Sequence, residues 1–281
     1  MEQIRLSTPA DIPTLRHLWT LAFGDGGAYL DNFFDTYYRP ERMIVLEQSG
    51  VVLAMTAWFD TTFVLPGEDE YRAAYLYAVA THPDHRGKGL SGRLLAWADE
   101  YFRSLGIPAV TTVPAEPSLH NFFAANGFRE CFCHDEATLS PRDAAPDFSL
   151  QPITPGEYAN LREEFLNYQP HIFLPEEAIA YQNGCCRISG GGLYAVDTPV
   201  GQVILCAEGM GNGFLLVKEL LGQPSACEEV IQNLHALLPR FSGVCRFPGQ
   251  KVPFGMLKWL DKSREARWNW ASSAYLGLAF D

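Results

Sequence analysis

The run Arg86-Gly87-Lys88-Gly89-Leu90-Ser91 restricts what this chain of 281 residues can fold into more than any other stretch. Ahead of it, residues 73–80 are apolar or small and read as a buried strand, and His82-Pro83-Asp84-His85 reads as a turn. Behind it, Leu90, Leu94, Leu95, Ala98 and Phe102 recur at helical spacing. A glycine-bearing turn that opens a helix directs backbone N–H groups at one point, where the helix dipole also favours negative charge. Gly87 and Gly89 let backbone approach a ligand, and Arg86 and Lys88 add positive charge. The chemistry implied is capture of a pyrophosphate; a basic turn that only caps the helix is the competing reading. A Walker loop is excluded because Gly89 is followed by Leu90, and a dinucleotide fingerprint because its three spaced glycines are absent.

These residues resemble the acetyl-CoA loop of the GNAT acyltransferases, Gln/Arg-x-x-Gly-x-Gly/Ala, with Ser91 in place of the usual Gly or Ala. The preceding His82-Pro83-Asp84-His85 matches that family's approach to the loop. Phe122-Phe123-Ala124-Ala125-Asn126-Gly127-Phe128 resembles its aromatic-x-x-x-Gly-Phe segment, and Val113-Pro114-Ala115-Glu116 resembles one bacterial branch. Together the motifs carry the resemblance from about Arg5 to Arg129.

The resemblance implies an α/β (α+β) fold with a mixed sheet, acetyl-CoA as co-substrate and an N-acetyltransferase. The reaction would be direct attack of a primary amine, on a small molecule or a peptide, without a metal or a covalent enzyme intermediate. By resemblance, Arg86, Gly87, Lys88, Gly89, Leu90 and Ser91 hold the pyrophosphate. Val79 and Thr81 fall where the family's strand bulges and splays to admit the pantetheine arm, and a backbone N–H near Val79 would polarise the thioester carbonyl. Val79 is also readable as plain strand core.

Proton handling departs from the pattern. Many GNAT enzymes place a tyrosine four residues before the Gly-Phe glycine; here that position is Phe123, which cannot donate a proton. His120, one turn earlier, and Glu116, at the strand end, are the expected acid–base candidates. The competing readings are a surface histidine and an acidic residue at a helix N-terminus. Phe123 also supports an alternative: a CoA-binding regulatory or scaffold protein whose catalysis has decayed. Aminoacyl transfer from charged tRNA is a third option.

Charge weighs against that third option. The net charge is −12. Counted along the sequence, residues 1–140 hold 10 basic and 18 acidic side chains (−8), and the remainder 11 and 15 (−4). Neither half is basic, so nucleic acid is not expected as a partner. The first residues lack the basic and apolar regions of a signal peptide, and no apolar run reaches membrane-spanning length, so a cytoplasmic protein with no membrane partner is expected. Seven cysteines, odd in number and without a Cys-x-x-Cys, argue against a disulfide framework and a zinc site.

Length suits two domains, 1–140 and 150–281, joined by the linker Ser140-Pro141-Arg142-Asp143-Ala144-Ala145-Pro146-Asp147. In the first, Thr8-Pro9-Ala10-Asp11 caps a helix, an aromatic stripe of Phe33, Phe34 and Tyr37 marks a second, and Val51–Leu65 is a long bent strand. Tyr75 and Tyr77 share one face of the central strand, as core or as cleft wall. Phe128–Leu139 reads as a hairpin-like pair and Ser273–Phe280 as a final strand. In the second half, strand, turn, strand, strand, turn and helix over 193–238 echo residues 43–105, but the turn Gly222-Gln223-Pro224-Ser225 lacks the arginine and paired glycines. A degenerate second GNAT-like domain is expected, a tandem arrangement similar to the enhanced-intracellular-survival type. The chain is too short for that type's sterol-carrier-like third domain, so Asp281 is not expected to inherit the catalytic role of its chain end. The acceptor and the oligomeric state, a homo-oligomer included, stay open.

Overall fold

A computed structural model describes residues 2–67, 70–139, 148–238 and 242–280. The proposed linker, Asp281 and part of the turn at 66–70 lie outside the described residues. In the first half the order is β1 (Glu2–Leu6), α1 (Ile12–Phe23), α2 (Ala28–Thr36), β2 (Met43–Gln48), β3 (Val51–Val64), β4 (Tyr71–Thr81), α3 (Leu90–Ser104), β5 (Ala109–Thr112), α4 (Pro117–Ala125) and β6 (Arg129–Leu139). The second half follows with β7 (Gln151–Pro152), α5 (Pro155–Leu166), β8 (His171–Phe173), α6 (Glu176–Ile188), β9 (Gly192–Thr198), β10 (Gly201–Met210), β11 (Phe214–Gly222), α7 (Pro224–Leu237), β12 (Ser242–Pro248), β13 (Val252–Trp259) and α8 (Lys262–Glu265).

The described strands form one mixed sheet in the order β1-β2-β3-β4-β5-β13-β6-β12-β11-β10-β9-β7, with β8 paired to β3. The plan of the first half recurs in the second. A hairpin leads into a third strand, a helix crosses over, and a parallel strand follows: β4 beside β5, and β11 beside β12. One strand crosses between the halves, since β13 lies antiparallel between β5 and β6. Lys258 on β13 is ion-paired to Asp99 of α3 and donates to the Asn126 carbonyl at 2.7 Å, which fixes that insertion.

Helix α3 buries Leu90, Leu94, Leu95, Ala98 and Phe102, the residues its sequence period singles out. On the other side of the sheet, α1, α2 and α6 pack around Trp19, Phe33, Tyr37, Phe59 and Tyr181. Gly184 lets α6 approach α2 closely, since a Cβ there would stand 2.0 Å from the Asn32 amide oxygen.

Two expected elements differ. Residues 128–139 are not a hairpin: β6 runs unbroken, because its partners are distant strands, β12 and β13, rather than its own continuation. Residues 273–280 are not a strand. Ala274 and Tyr275 make isolated bridges to Phe132 and His171, and the segment is held by side chains. Arg162 Nη2 donates to the Leu276 carbonyl at 2.9 Å and Lys218 Nζ to the Ala279 carbonyl at 3.0 Å. Strand β8, helix α6 and strands β12 and β13 were not anticipated.

Candidate active site

The site is built where β4 leaves β5. The two strands pair in parallel from Ala73 opposite Ala109 to Leu76 opposite Thr112. Strand β5 then ends, and β4 continues to Thr81. On the other edge of β4 the register slips: Met55 faces Ala80 and Ala57 faces Tyr77, so Ala78 and Val79 stand against Thr56 alone. This bulge places Ala78 at φ +52, a left-handed conformation that costs free energy in any residue but glycine. Beyond Leu76 and Thr112, β4 and β5 no longer pair. The gap between them is a cavity of about 410 Å³ with Leu76, Tyr77, Ala78 and Val79 on one side and Thr112, Val113 and Ala115 on the other.

Directly beyond the gap lies the glycine loop. Gly87 and Gly89 adopt φ +74 and +72, and Gly89 is the N-cap of α3. Its amides precede the first turn of a helix, where N–H groups have no intrahelical acceptor. Leu90 is buried beneath the loop, and Gly87, Lys88 and Gly89 are exposed above it. Arg86 Nε donates to the Thr81 carbonyl at 3.3 Å, and the Thr81 and Ser91 hydroxyls are 2.5 Å apart. Ser91 thus ties the strand end to the helix start. Lys88 Nζ donates to the Asp84 carbonyl at 3.1 Å, and Arg93, absent from the sequence reading, donates to the Lys88 carbonyl at 3.1 Å. Arg86 and Lys88 therefore add positive charge to a cluster of amides, a setting suited to a diphosphate, while Arg93 is ion-paired to Glu2 at 3.0 Å.

Phe123, which stands where the family's tyrosine is expected, is buried and lines the gap. His120 and Glu116 do not line it. His120 Nδ1 lies 2.6 Å from Glu130 Oε1 on the outer face of α4, and Glu116 is the exposed N-cap of that helix. Tyr75 and Tyr77 both line the gap.

A second cavity of about 320 Å³ adjoins the first, sharing Trp19, Asp25, Tyr77 and Phe280 with it. Its other walls come largely from the second half: Tyr181, Gln182, Cys185, Glu208, Met210 and Lys218. Glu208 is buried and ion-paired to Lys218 at 3.1 Å, with Tyr29 and Gln182 donating to it at 3.4 Å. Asp25 accepts from the Trp19 indole at 3.0 Å. The Tyr77 and Tyr181 hydroxyls meet at 2.8 Å, and burial pushes both phenols well above the ordinary tyrosine range. Phe280 stacks on Tyr75 with ring centroids 5.4 Å apart and closes one side. None of the second-half residues was singled out from sequence. The one signal is negative: Gln182, which lines the cavity, interrupts the apolar period of α6.

Residues 3–124 match the family model of the acetyltransferase (GNAT) domain. That stretch, within the first half of the chain, is similar to a GNAT domain. No curated protein matches the sequence. Among solved structures, Eis1 from Mycobacterium abscessus is 15% identical with a TM-score of 0.68, over 92% of this chain and 74% of that one. A GCN5-related N-acetyltransferase from Anabaena variabilis is 13% identical with a TM-score of 0.71, over 93% and 73%. Another from Kribbella flavida is 15% identical with a TM-score of 0.68, over 93% and 71%. At this identity the likeness concerns the fold, and it extends across both halves. No described helix is long and apolar enough to cross a membrane.

Proposed function

We propose that this protein transfers the acetyl group of acetyl-CoA to a primary amine by direct attack, within a tandem of two GNAT-like units, 1–140 and 150–281. The observation that carries the reading is the parting of β4 from β5 immediately ahead of the glycine loop. A diphosphate held by the amides of residues 86–91 would point the pantetheine arm into that gap. There the backbone of Val79 and Thr81 could bind it, and a backbone N–H near Val79 could polarise the thioester carbonyl. The second unit, without a loop of its own, supports the acceptor side. Its cavity joins the gap at Tyr77, and Asp25 and Glu208 give it negative charge against the single positive charge of Lys218. An ammonium group is favoured there, with aromatic rings of Trp19 and Phe280 alongside.

The test is acetyl-CoA turnover with n-hexylamine, phenethylamine, lysine and spermidine, following thiol release and amide mass together. Acetylation of at least one amine, with equal thiol and amide, is the expected result. Binding of acetyl-CoA without thiol release above hydrolysis on any of the four would favour the second reading, a CoA-binding protein without catalysis, which Phe123 motivates.

A further inference from the structure

Phe123 leaves the departing thiolate without the hydroxyl expected at that position. We propose that Tyr77 is the proton donor of the transfer and that Tyr181, reaching in from α6, positions and recharges it. The inference rests on the acyl-transfer reading above.

Tyr77 lies on β4 next to the bulge, and it lines both cavities. An acyl group moving from the gap to the acceptor side must pass it. Phe123 lines the same gap, so the two side chains share one space and only one carries a hydroxyl. The ring of Tyr77 is fixed by Trp19, Phe59 and Phe280, with centroids at 5.4, 5.5 and 5.8 Å. Its hydroxyl has a built partner, the Tyr181 hydroxyl at 2.8 Å, and Asn32 Nδ2 donates to the Tyr181 carbonyl at 2.9 Å, tying that turn of α6 to α2. Burial makes the Tyr77 phenol a weaker acid, and the hydrogen bond from Tyr181 works against that by stabilising the tyrosinate as it forms, which is the positioning role assigned to Tyr181.

The step balances. The amine nitrogen bonds to the thioester carbon, and the carbonyl π pair moves to oxygen. It returns as the C–S bond breaks and the pair leaves on sulfur. Tyr77 gives its proton to sulfur and takes the proton of Tyr181. The proton shed by the acylated nitrogen then restores the pair, leaving amide, thiol and two neutral phenols.

The experiment compares wild type, Tyr77→Phe, Tyr181→Phe and Tyr77→Phe/Phe123→Tyr with acetyl-CoA and whichever of the four amines above turns over fastest. Acetyl-CoA affinity is read by calorimetry and folding by thermal unfolding. Tyr77→Phe is expected to lower kcat on the order of 10²-fold, with acetyl-CoA affinity within about two-fold. Tyr181→Phe, a positioning change, should lower kcat about ten-fold at unchanged KM for acetyl-CoA. A hydroxyl returned at 123 should recover about ten-fold of the loss, which a packing defect at 77 would not allow. A kcat within about two-fold of wild type in Tyr77→Phe overturns the proposal while leaving the transferase reading intact. So does a rate loss matched by lost acetyl-CoA affinity, or a folded double variant without recovery. A wild type that acetylates none of the four amines sinks both.

Discussion

At the scale of single residues, the site depends on groups that never face it. Arg162 and Glu219 are fully buried, their side chains 3.0 Å apart, and the Tyr158 hydroxyl donates to Glu219 at 2.9 Å. Arg162 also binds the Leu276 carbonyl, and four residues on Phe280 closes both cavities. Removing one member leaves an unpaired charge in the interior. Arg162→Met is expected to destabilise the fold by about 3–5 kcal/mol in urea unfolding and to raise the amine KM, because the end segment loses its anchor. A loss below about 1 kcal/mol would mean that the pair is solvated and the segment anchored elsewhere. This cluster was illegible in sequence, because Arg162, Glu219 and Leu276 lie far apart along the chain and a buried arginine looks like a surface one until its partner is known.

At the scale of elements, the proposed function turns on the bulge in β4. Ala78 tolerates φ +52 only because the surrounding strands hold it there. Glycine adopts that conformation freely, and a β-branched residue does not. Ala78→Gly is therefore expected to keep CoA affinity within about three-fold, while Ala78→Val lowers it more than about ten-fold. Equal affinities measured by calorimetry for both would show that the gap does not need the bulge. Much at this scale was legible. The apolar run of β4, the helical period of α3 and the glycines between them located the strand, the turn and the helix, and the cap at Thr8 marked a neighbouring element. The bulge itself came only with the family resemblance, since Tyr77-Ala78-Val79-Ala80 is patterned like any buried strand. The second cavity was illegible for a different reason: α6 carries Gln182 toward it, which interrupts the amphipathic period that would have revealed that face.

At the scale of the whole molecule, the halves are interlocked. Strand β13 completes the sheet between β5 and β6. A fragment ending at Leu139 would bare the outer edge of β5 and both edges of β6, which sheets do not tolerate without pairing. Residues 2–139 expressed alone are expected to show no cooperative unfolding transition, and co-expression with residues 148–281 should restore one; a sharp transition from the fragment alone would contradict the exchange. Sequence repeats exposed the two-fold plan, whereas strand exchange is a non-local pairing that no local pattern encodes. The same asymmetry governs ligand capacity, because the loop has its glycines in one half only. Calorimetric titration of the full chain with CoA is the most direct test. The account predicts one site per chain, abolished by Gly89→Asp, which puts a carboxylate and a strained φ where the diphosphate would sit. No heat on titration, a second site of similar strength, or undiminished binding by Gly89→Asp would contradict it.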